Sequence, residues 1–209
     1  MKGYYSKFDS KESCVGELAQ VIDCLHSKKP ELTESGKRFI QLDNICDDGM
    51  LDFTTSFWIS EEDYTQWTSR CEVSEGDIVI TNVGRIGAVS QMPEGEKAAM
   101  GRNMTCIRPL NYPAFLITSL LSSEMRSEID YNTDAGTIMG ALNVRNIPKL
   151  SLNVFTAEIQ NDLEIKLRSI RKIMENNLKE MQHLKHIRDY LLPKLMSGEI
   201  DVSTLEIPN

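Results

Sequence analysis

The chain of 209 residues lacks the features that mark several classes of protein. No apolar run approaches 18 residues, so we expect no transmembrane helix and no membrane partner. The amino terminus is polar and has no apolar signal-peptide core, which makes a cytoplasmic protein the expectation. The five cysteines are odd in number, widely spaced and without a CxxC pair. This pattern argues against a zinc knuckle and a disulfide framework, and it predicts reduced, mostly buried thiols.

Basic charge is also scarce. The net charge is −8, and residues 1–155 carry 15 Lys and Arg against 22 Asp and Glu. Taken alone, this balance counts against nucleic-acid binding, because the phosphate backbone favours basic surfaces. Between residues 82 and 108, however, four basic side chains outnumber two acidic ones. An acidic chain of this kind can still carry a locally basic face.

Signatures of catalysis are missing as well. The chain has no phosphate-binding Gly-Lys-Ser/Thr loop, and no serine or cysteine triad or nuclease carboxylate–lysine cluster stands out. Residues 146–149 read NIPK and do not supply the Asn/Asp-Pro-Pro-aromatic element of adenine methyltransferases. We therefore expect a non-catalytic protein with no cofactor and no metal site.

What the sequence does have is a long helical pattern, which runs without interruption through the last third of the chain. From Thr156 to Ser197 there is no glycine, and the first proline is Pro193. Apolar residues recur there in steps of three and four, at Leu163, Leu167, Ile170, Met174, Leu178, Met181, Leu184, Ile187, Leu191 and Leu195. The pattern predicts one helix of roughly 55 Å. No second seam of similar length exists in the chain, so the helix needs a partner, as in a coiled coil.

The preceding part predicts a mixed α and β domain. A capping box at Ser60–Asp63 favours a short helix through Trp67, and a second helix is expected from Pro113 to Ile129. Residues 14–24 fit either a short helix or a strand. The expected strands are residues 38–45, 77–81, 88–91, 104–108 and 147–155. The whole is an α+β fold: a globular domain over 1–155, a long helix over 156–198 and a loose tail over 199–209.

Two segments of the sequence resemble parts of the specificity subunits of type I restriction–modification systems. Gly76–Gly87 (GDIVITNVGRIG) is similar to the GDIL-x-x-x-x-G-x-x-G core of their target recognition domains. Leu191–Ile200 (LLPKLMSGEI) resembles, almost letter for letter, the end of their spacer helices. Val15–Ala19 and the segment 136–148, which holds a Gly-Thr and an Ile-Pro pair, follow the same order as in the family. The resemblance covers about residues 14–202.

The chain departs from the family pattern at two points. Residues 152–160 (LNVFTAEIQ) stand where family members carry PLPPL-x-EQ before the helix. The usual family chain has two recognition domains and two spacer helices, whereas this chain has one of each. It therefore resembles a half-length specificity subunit, which agrees with its single unpartnered seam.

The resemblance implies that the domain reads half of a split DNA target and that the helices pair antiparallel as a spacer. Arg85 and Arg102 suit guanine, and Asn103 suits adenine; glycines beside Arg85 let backbone approach DNA. The expected DNA-binding residues are Asn82, Gly84, Arg85, Gly87, Arg102, Asn103, Asn132, Thr137, Asn143 and Arg145. The expected dimer interface is Leu163, Leu167, Ile170, Met174, Leu178, Met181, Leu184, Leu191 and Leu195.

Plainer interpretations stay open for these residues. The two glycines fit a hairpin turn, Arg102 and Arg145 fit ordinary surface cations, and Asn103 and Asn143 fit turn caps. One end of the seam can also pack back on the domain.

The main hypothesis is a homodimeric DNA-specificity subunit that reads an inverted repeat and directs adenine methyltransferase subunits, with or without the nuclease/translocase subunit. One rival is an interaction adaptor, or a truncated subunit, that docks a methyltransferase through the helix without reading DNA. A small-molecule enzyme is the weaker rival.

Overall fold

The computed structural model describes residues 9–134 and 140–200. Its strands are β1 (Ser10–Cys14), β2 (Ala19–Asp23), β3 (Lys37–Ile40), β4 (Trp58–Ile59), β5 (Glu72–Ser74), β6 (Ile78–Thr81), β7 (Val89–Gln91), β8 (Lys97–Met100), β9 (Met104–Pro109), β10 (Thr133–Asp134), β11 (Ala141–Leu142) and β12 (Ser151–Phe155). Its helices are α1 (Val15–Leu18), α2 (Glu61–Trp67), α3 (Pro113–Leu120), α4 (Ser123–Tyr131) and α5 (Ala157–Met196), with 3-10 turns at Leu42–Asn44 and Ile147–Lys149.

Two four-stranded sheets form the centre of the domain. The first has the strand order β2-β9-β6-β7 and is antiparallel throughout. The second has the order β4-β3-β8-β5, in which β3 and β8 run parallel. Two small antiparallel pairs, β1 with β12 and β10 with β11, complete the pairing of the described strands.

Side-chain alternation along these strands creates three core layers. Ile78 and Ile80 of β6 face a core shared with α3 and α4, while Val79 between them faces the core between the two sheets. In β8, Ala98 and Met100 face that middle core, and Ala99 faces the core beneath α2. The domain is therefore layered as helices, sheet, sheet and helix. Strands buried on both faces explain why β6 reads as a continuous apolar run.

The predicted helix from Pro113 to Ile129 is wrong as one element, because the chain breaks it into α3 and α4. Ser122 caps α4 by accepting a hydrogen bond from the backbone N–H of Met125 at 3.1 Å. Leu121 is 37% exposed at the break. The helix capped by Ser60 is confirmed: its hydroxyl accepts from the N–H of Asp63 at 3.0 Å, and the helix ends at Trp67.

Two predicted strands are shorter than expected. The strand expected over 38–45 ends at Ile40, because the amide of Asn44 bonds the backbone of Gln41 and Asp52 and bends the chain into a 3-10 turn. The strand expected over 147–155 begins at Ser151, after a 3-10 turn that contains Pro148. Residues 14–24 hold both alternatives in sequence, α1 and then β2.

The chain divides into two compact units, Met1–Ser169 and Ile170–Asn209. The boundary falls inside α5, so the first turns of this helix belong to the first unit. There, Leu167 packs against the core beneath α3, and the carboxylate of Glu164 accepts hydrogen bonds from the N–H groups of Ala114 and Phe115 at 3.2 and 2.8 Å. These two N–H groups lie in the first turn of α3, where no carbonyl of the helix itself can accept from them.

The second unit is the remainder of α5 and the turn that follows it. The helix ends at Met196, as expected from the Pro193–Gly198 segment, and Gly198 adopts φ +73° just beyond it. Residues 201–209 of the expected tail lie outside the described residues. Among the helices of residues 9–134 and 140–200, none combines the length and apolar character needed to cross a membrane.

Candidate nucleic-acid interface

The turn Asn82–Gly87 joins β6 to β7 and is closed by backbone hydrogen bonds. The N–H of Gly87 donates to the carbonyl of Thr81 at 2.8 Å, and that of Ala88 donates to Arg85 at 3.0 Å. Gly84 and Gly87 have φ of +85° and +74°, the left-handed region that favours glycine. A Cβ added at Gly87 would lie 2.7 Å from Cγ2 of Ile129. Both glycines are thus required by the turn itself, whatever else the turn contacts.

Arg85 extends from this turn and is 46% exposed, but its guanidinium is held by its own chain. It donates to the carbonyl of Ile45 and forms an ion pair with Asp47, whose side chain is 95% exposed. Exposed ion pairs of this kind contribute about 0–1 kcal/mol. A DNA phosphate or base edge can therefore replace Asp47 at little cost, and Asp47 covers the group that sequence reasoning assigned to guanine.

Asn82 is buried, and its side chain is used within the fold. Its amide donates to the carbonyl of Leu142 at 3.0 Å and accepts from the hydroxyl of Thr105 at 2.9 Å. Its backbone N–H donates to the carbonyl of Asn103, and its backbone carbonyl accepts from Leu142. Asn82 therefore ties three segments to one edge of the first sheet: the turn after β6, the turn before β9 and the strand β11. Asn82 therefore lies beneath the surface and holds the neighbouring turns in position.

Arg102 and Asn103 form the turn between β8 and β9 and are exposed. Asn103 adopts φ +65°, as expected for an asparagine in a tight turn. The two residues line an open cleft of about 560 Å³ together with His26, Ser27 and Lys28. A second hollow of about 170 Å³ adjoins it, and its lining includes Lys29, Gln41, Trp67 and Arg102. We call the two hollows together the basic cleft.

Every charged residue that lines the basic cleft is basic, among the residues that the structure describes. The imidazole of His26 is hydrogen-bonded to the carboxylate of Asp23 at 2.9 Å, and the guanidinium of Arg70 lies 3.7 Å from the same carboxylate. Burial raises the pKa of the neighbouring Cys24 thiol, so it stays protonated at neutral pH. The cleft therefore offers cationic and hydrogen-bonding groups on an otherwise acidic chain.

Lys28, Lys29 and Gln41 are the residues that sequence reasoning missed. The Lys28-Lys29 pair lies in a polar loop more than 70 positions before Arg102. The only local signal was two adjacent lysines. The pairing of β2 with β9 and of β3 with β8 brings this loop and Gln41 to the turn at Arg102.

The second predicted loop is only partly described. Thr137 lies outside the described residues. Asn132 ends α4, and its amide donates to the carbonyl of Glu128 at 2.9 Å. The side chain of Asn143 accepts from the N–H of Arg145 at 3.0 Å, which is a turn-capping role. Asn143 and Arg145 are exposed next to Leu142, and hence close in the chain to the strand tied by Asn82.

The seam of α5 changes character along its length. Leu163 is 7% exposed and Leu167 is half-buried, so the first unit covers this end of the predicted dimer interface. From Ile170 onward most of the seam faces solvent, and Met174 and Leu178 are half-buried. Exposed apolar residues absent from the predicted seam are Ile165, Ile173, Tyr190, Leu192 and Met196. We call the apolar residues within Ile170–Leu195 the exposed seam; with Ile173, Tyr190 and Leu192, this part of α5 exposes more apolar side chains than the sequence pattern indicated.

Comparison with known proteins gives matches among solved structures alone. No protein-family model matches the chain, and no curated protein matches it. The S subunit of a type I restriction–modification system from M. genitalium superposes with a TM-score of 0.56 at 12% identity, covering 91% of this chain and 46% of that one. The HsdS subunit from Thermoanaerobacter tengcongensis gives 0.54 at 16% identity, covering 91% and 45%.

A third matching structure comes from work on complex assembly and conformational transition of the type I R-M system, with a TM-score of 0.56 at 16% identity over 88% of this chain and 45% of that one. At such identities the likeness shows the fold. The α+β fold with a long carboxyl-terminal helix is therefore the fold of these specificity subunits, and the chain spans about half the length of the structures it matches.

Proposed function

We propose that this chain is a DNA-specificity subunit of a type I restriction–modification complex, in half-length form. The observation that carries the proposal is the fold likeness over about nine-tenths of the chain to specificity subunits of which it spans only about half. One globular domain and one long helix correspond to half of such a subunit. A second copy would supply the other half.

The basic cleft supports the DNA-reading part of the proposal. It gathers Lys28, Lys29 and Arg102 on one edge of the domain, next to the turn that carries Arg85. Lysine side chains bind phosphate and fix position on the duplex, whereas Arg102 and Asn103 can form the paired hydrogen bonds that distinguish bases. The double-stranded DNA target is therefore read at this edge.

The exposed seam supports homodimerisation. Two α5 helices packed antiparallel would bury the apolar side chains between Ile170 and Leu195 and carry one domain to each end. A twofold axis through the paired helices relates the two domains, so the target is an inverted repeat split by an unread gap. Adenine methyltransferase subunits dock beside the helices and supply the catalysis, and the nuclease/translocase subunit joins them where the complex also cleaves.

The test is adenine-methylation mapping in cells that express this chain with its methyltransferase subunit. We expect methyladenine at a bipartite inverted repeat, and its loss when the chain is omitted. A variant with Lys28→Ala and Arg102→Ala should lose the marks while the complex still assembles. Unchanged marks without the chain would exclude the proposal.

The adaptor alternative is favoured by two observations, the net charge of −8 and the ion pair in which Asp47 covers Arg85. An adaptor would dock the methyltransferase through the seam and leave sequence reading to other chains. In the mapping experiment it predicts that the double variant keeps the same marks as the wild type. Loss of the marks with intact assembly favours DNA reading by this domain.

A further inference from the structure

Two buried cysteines meet in the core between the two four-stranded sheets. Cys106 lies in β9 of the first sheet, and Cys71 directly precedes β5 of the second. Cys71 is 5% exposed and Cys106 is fully buried. Their sulfur atoms and a carboxylate oxygen of Asp77 all lie within 4.8 Å of one another. The remaining cysteines, Cys14, Cys24 and Cys46, are also free thiols.

A fixed cation stands beside this pair. The guanidinium of Arg108 donates to both carboxylate oxygens of Asp77, at 2.9 and 2.7 Å, and its Nη2 lies 3.8 Å from the sulfur of Cys71. Asp77 is almost fully buried, so the ion pair holds Arg108 in place. The guanidinium therefore presents a positive charge to one thiol of the pair.

The two thiols are consequently not equivalent. The adjacent Cys106 thiol lowers the pKa of Cys71, and the nearby Arg108 guanidinium acts in the same direction. The adjacent Cys71 sulfur raises the pKa of Cys106, and burial raises it further. Cys71 is thus the better thiolate and Cys106 the protonated neighbour, which is the asymmetry of an attacking and a resolving thiol.

We propose that Cys71 and Cys106 form an oxidant-reactive thiol pair that closes to a disulfide joining the two sheets. With hydrogen peroxide as oxidant, the Cys71 thiolate attacks one peroxide oxygen and the O–O bond breaks. Cys71 becomes a sulfenic acid, and the released hydroxide takes up a proton to form water. The sulfur of Cys106 then attacks the sulfur of Cys71, the S–O bond breaks, and a second water leaves. Two thiols lose two hydrogens and two electrons, and one peroxide becomes two waters.

A metal ion fits the same residues poorly. The carboxylate of Asp77 already accepts from Arg108 through both oxygens and from the N–H of Ser74 at 2.9 Å. A cation bound there would share a buried space with the guanidinium, and this repulsion is costly in an environment of low dielectric. The same guanidinium favours a thiolate, so thiol chemistry suits the cluster better than coordination does.

The experiment is peptide mapping of the full chain after oxidation. Reduced protein is exposed to hydrogen peroxide, free thiols are blocked with N-ethylmaleimide, and the protein is digested without reductant for mass spectrometry. We expect a cross-linked peptide pair that contains Cys71 and Cys106, with a mass two hydrogen atoms below the sum of the two peptides. Dithiothreitol should abolish it. The proposal is overturned if both cysteines carry maleimide adducts after peroxide treatment, or if Cys71 is found as a sulfinic acid.

A matched set of variants separates this pair from the other thiols. Cys14→Ser and Cys46→Ser alter half-buried cysteines outside the pair and should leave the cross-link intact. Cys106→Ala removes the resolving thiol, so dimedone, which traps sulfenic acids, should label Cys71 in this variant and not in the wild type. Equal labelling of Cys71 in both proteins would contradict the order of attack. The wild-type mapping decides the disulfide even where a variant folds poorly.

Discussion

At the scale of single residues, the structure separates the exposed groups of the candidate site from the buried groups that hold them in place. Arg102 and Asn103 are exposed on the basic cleft, whereas Asn82 is buried behind it. Gly84 and Gly87 shape the turn that carries Arg85. Polar residues next to one another in the sequence therefore have different roles, and substitutions can tell these roles apart.

The first prediction concerns two residues of the basic cleft. Arg102→Ala should relax discrimination at the base that Arg102 contacts, by about 1–3 kcal/mol. Lys28→Ala should weaken binding to all sequences and reduce the slope of log affinity against log salt by about one. Lys11→Ala is the control, because Lys11 is exposed in β1 and does not line the cleft. The measurement is fluorescence anisotropy with target and mismatched duplexes at several salt concentrations. If the three variants bind every duplex alike, the basic cleft is not part of the DNA interface.

The second prediction concerns the cover on Arg85. Asp47→Asn removes the charge that holds the guanidinium, so affinity for the target duplex should rise several-fold. Arg85→Ala should lower it. Asp43→Asn removes one charge from an exposed position of the same acidic stretch and serves as the control. If Asp47→Asn and Asp43→Asn raise affinity equally, the effect is one of net charge, and Asp47 does not specifically cover Arg85.

The third prediction concerns Gly87. Gly87→Ala and Gly95→Ala both place alanine at positive φ, which costs about 1–2 kcal/mol. At Gly95 the new methyl group has open space, but at Gly87 it meets Ile129 at 2.7 Å. Gly87→Ala should therefore lower the free energy of unfolding by about 1–3 kcal/mol more than Gly95→Ala does. Urea unfolding measures the difference, and equal losses would show that Ile129 moves aside freely.

At the scale of elements, α5 is a single helix with two environments. Its first turns complete the globular unit, through Leu167 and through the hydrogen bonds that Glu164 accepts from α3. From Ile170 onward its apolar side chains are largely exposed, and such a stripe in a chain of this length is typical of a protein interface. Substitutions in the exposed seam should affect assembly and spare the domain.

The fourth prediction follows from that division. Ile170→Asp would bury a carboxylate in the paired helices and should convert the dimer to a monomer. His186→Asp places the same group at an exposed position about 160° around the helix from Ile170, counted at 3.6 residues per turn, and should leave the dimer intact. Sedimentation velocity measures the oligomeric state. If the wild type is a monomer, or if the dimer persists in Ile170→Asp, the exposed seam binds a partner other than a second copy of this chain.

At the scale of the whole molecule, the proposal depends on two domains acting together. Under this proposal, one basic cleft on a chain of net charge −8 would bind DNA with modest, salt-sensitive affinity. Two clefts joined through the paired helices would act as a bivalent reader, in which the second half-site is bound at high effective concentration. The specificity of the dimer should therefore exceed what one cleft achieves.

The fifth prediction tests this bivalency. The wild type should bind a duplex with both mapped half-sites at least tenfold more tightly than a duplex with one half-site scrambled. Ile170→Asp should bind the two duplexes with similar affinity, because each monomer reads one half-site. Changing the gap by half a helical turn should weaken wild-type binding and leave the variant unaffected. Insensitivity of the wild type to the gap would contradict a fixed spacer.

The sequence alone determined what repeats locally. The spacing of apolar residues in α5, the capping of α2 at Ser60 and the β-branched run of β6 each reflect contacts within a few residues, so these elements were predictable. The break at Ser122 was not, because the apolar period continues across it while the Ser122 cap ends one helix and starts another.

Tertiary structure alone decided where the candidate site lies. Lys28 shares a cleft with Arg102 because β2 pairs with β9 and β3 pairs with β8. Asn82 is buried with its amide satisfied by Leu142 and Thr105. Leu163 belongs to the same periodic seam as Ile170, yet one is covered and the other exposed. A periodic pattern specifies which face of a helix is apolar. What covers that face depends on strand pairing between distant segments, and local sequence does not encode it.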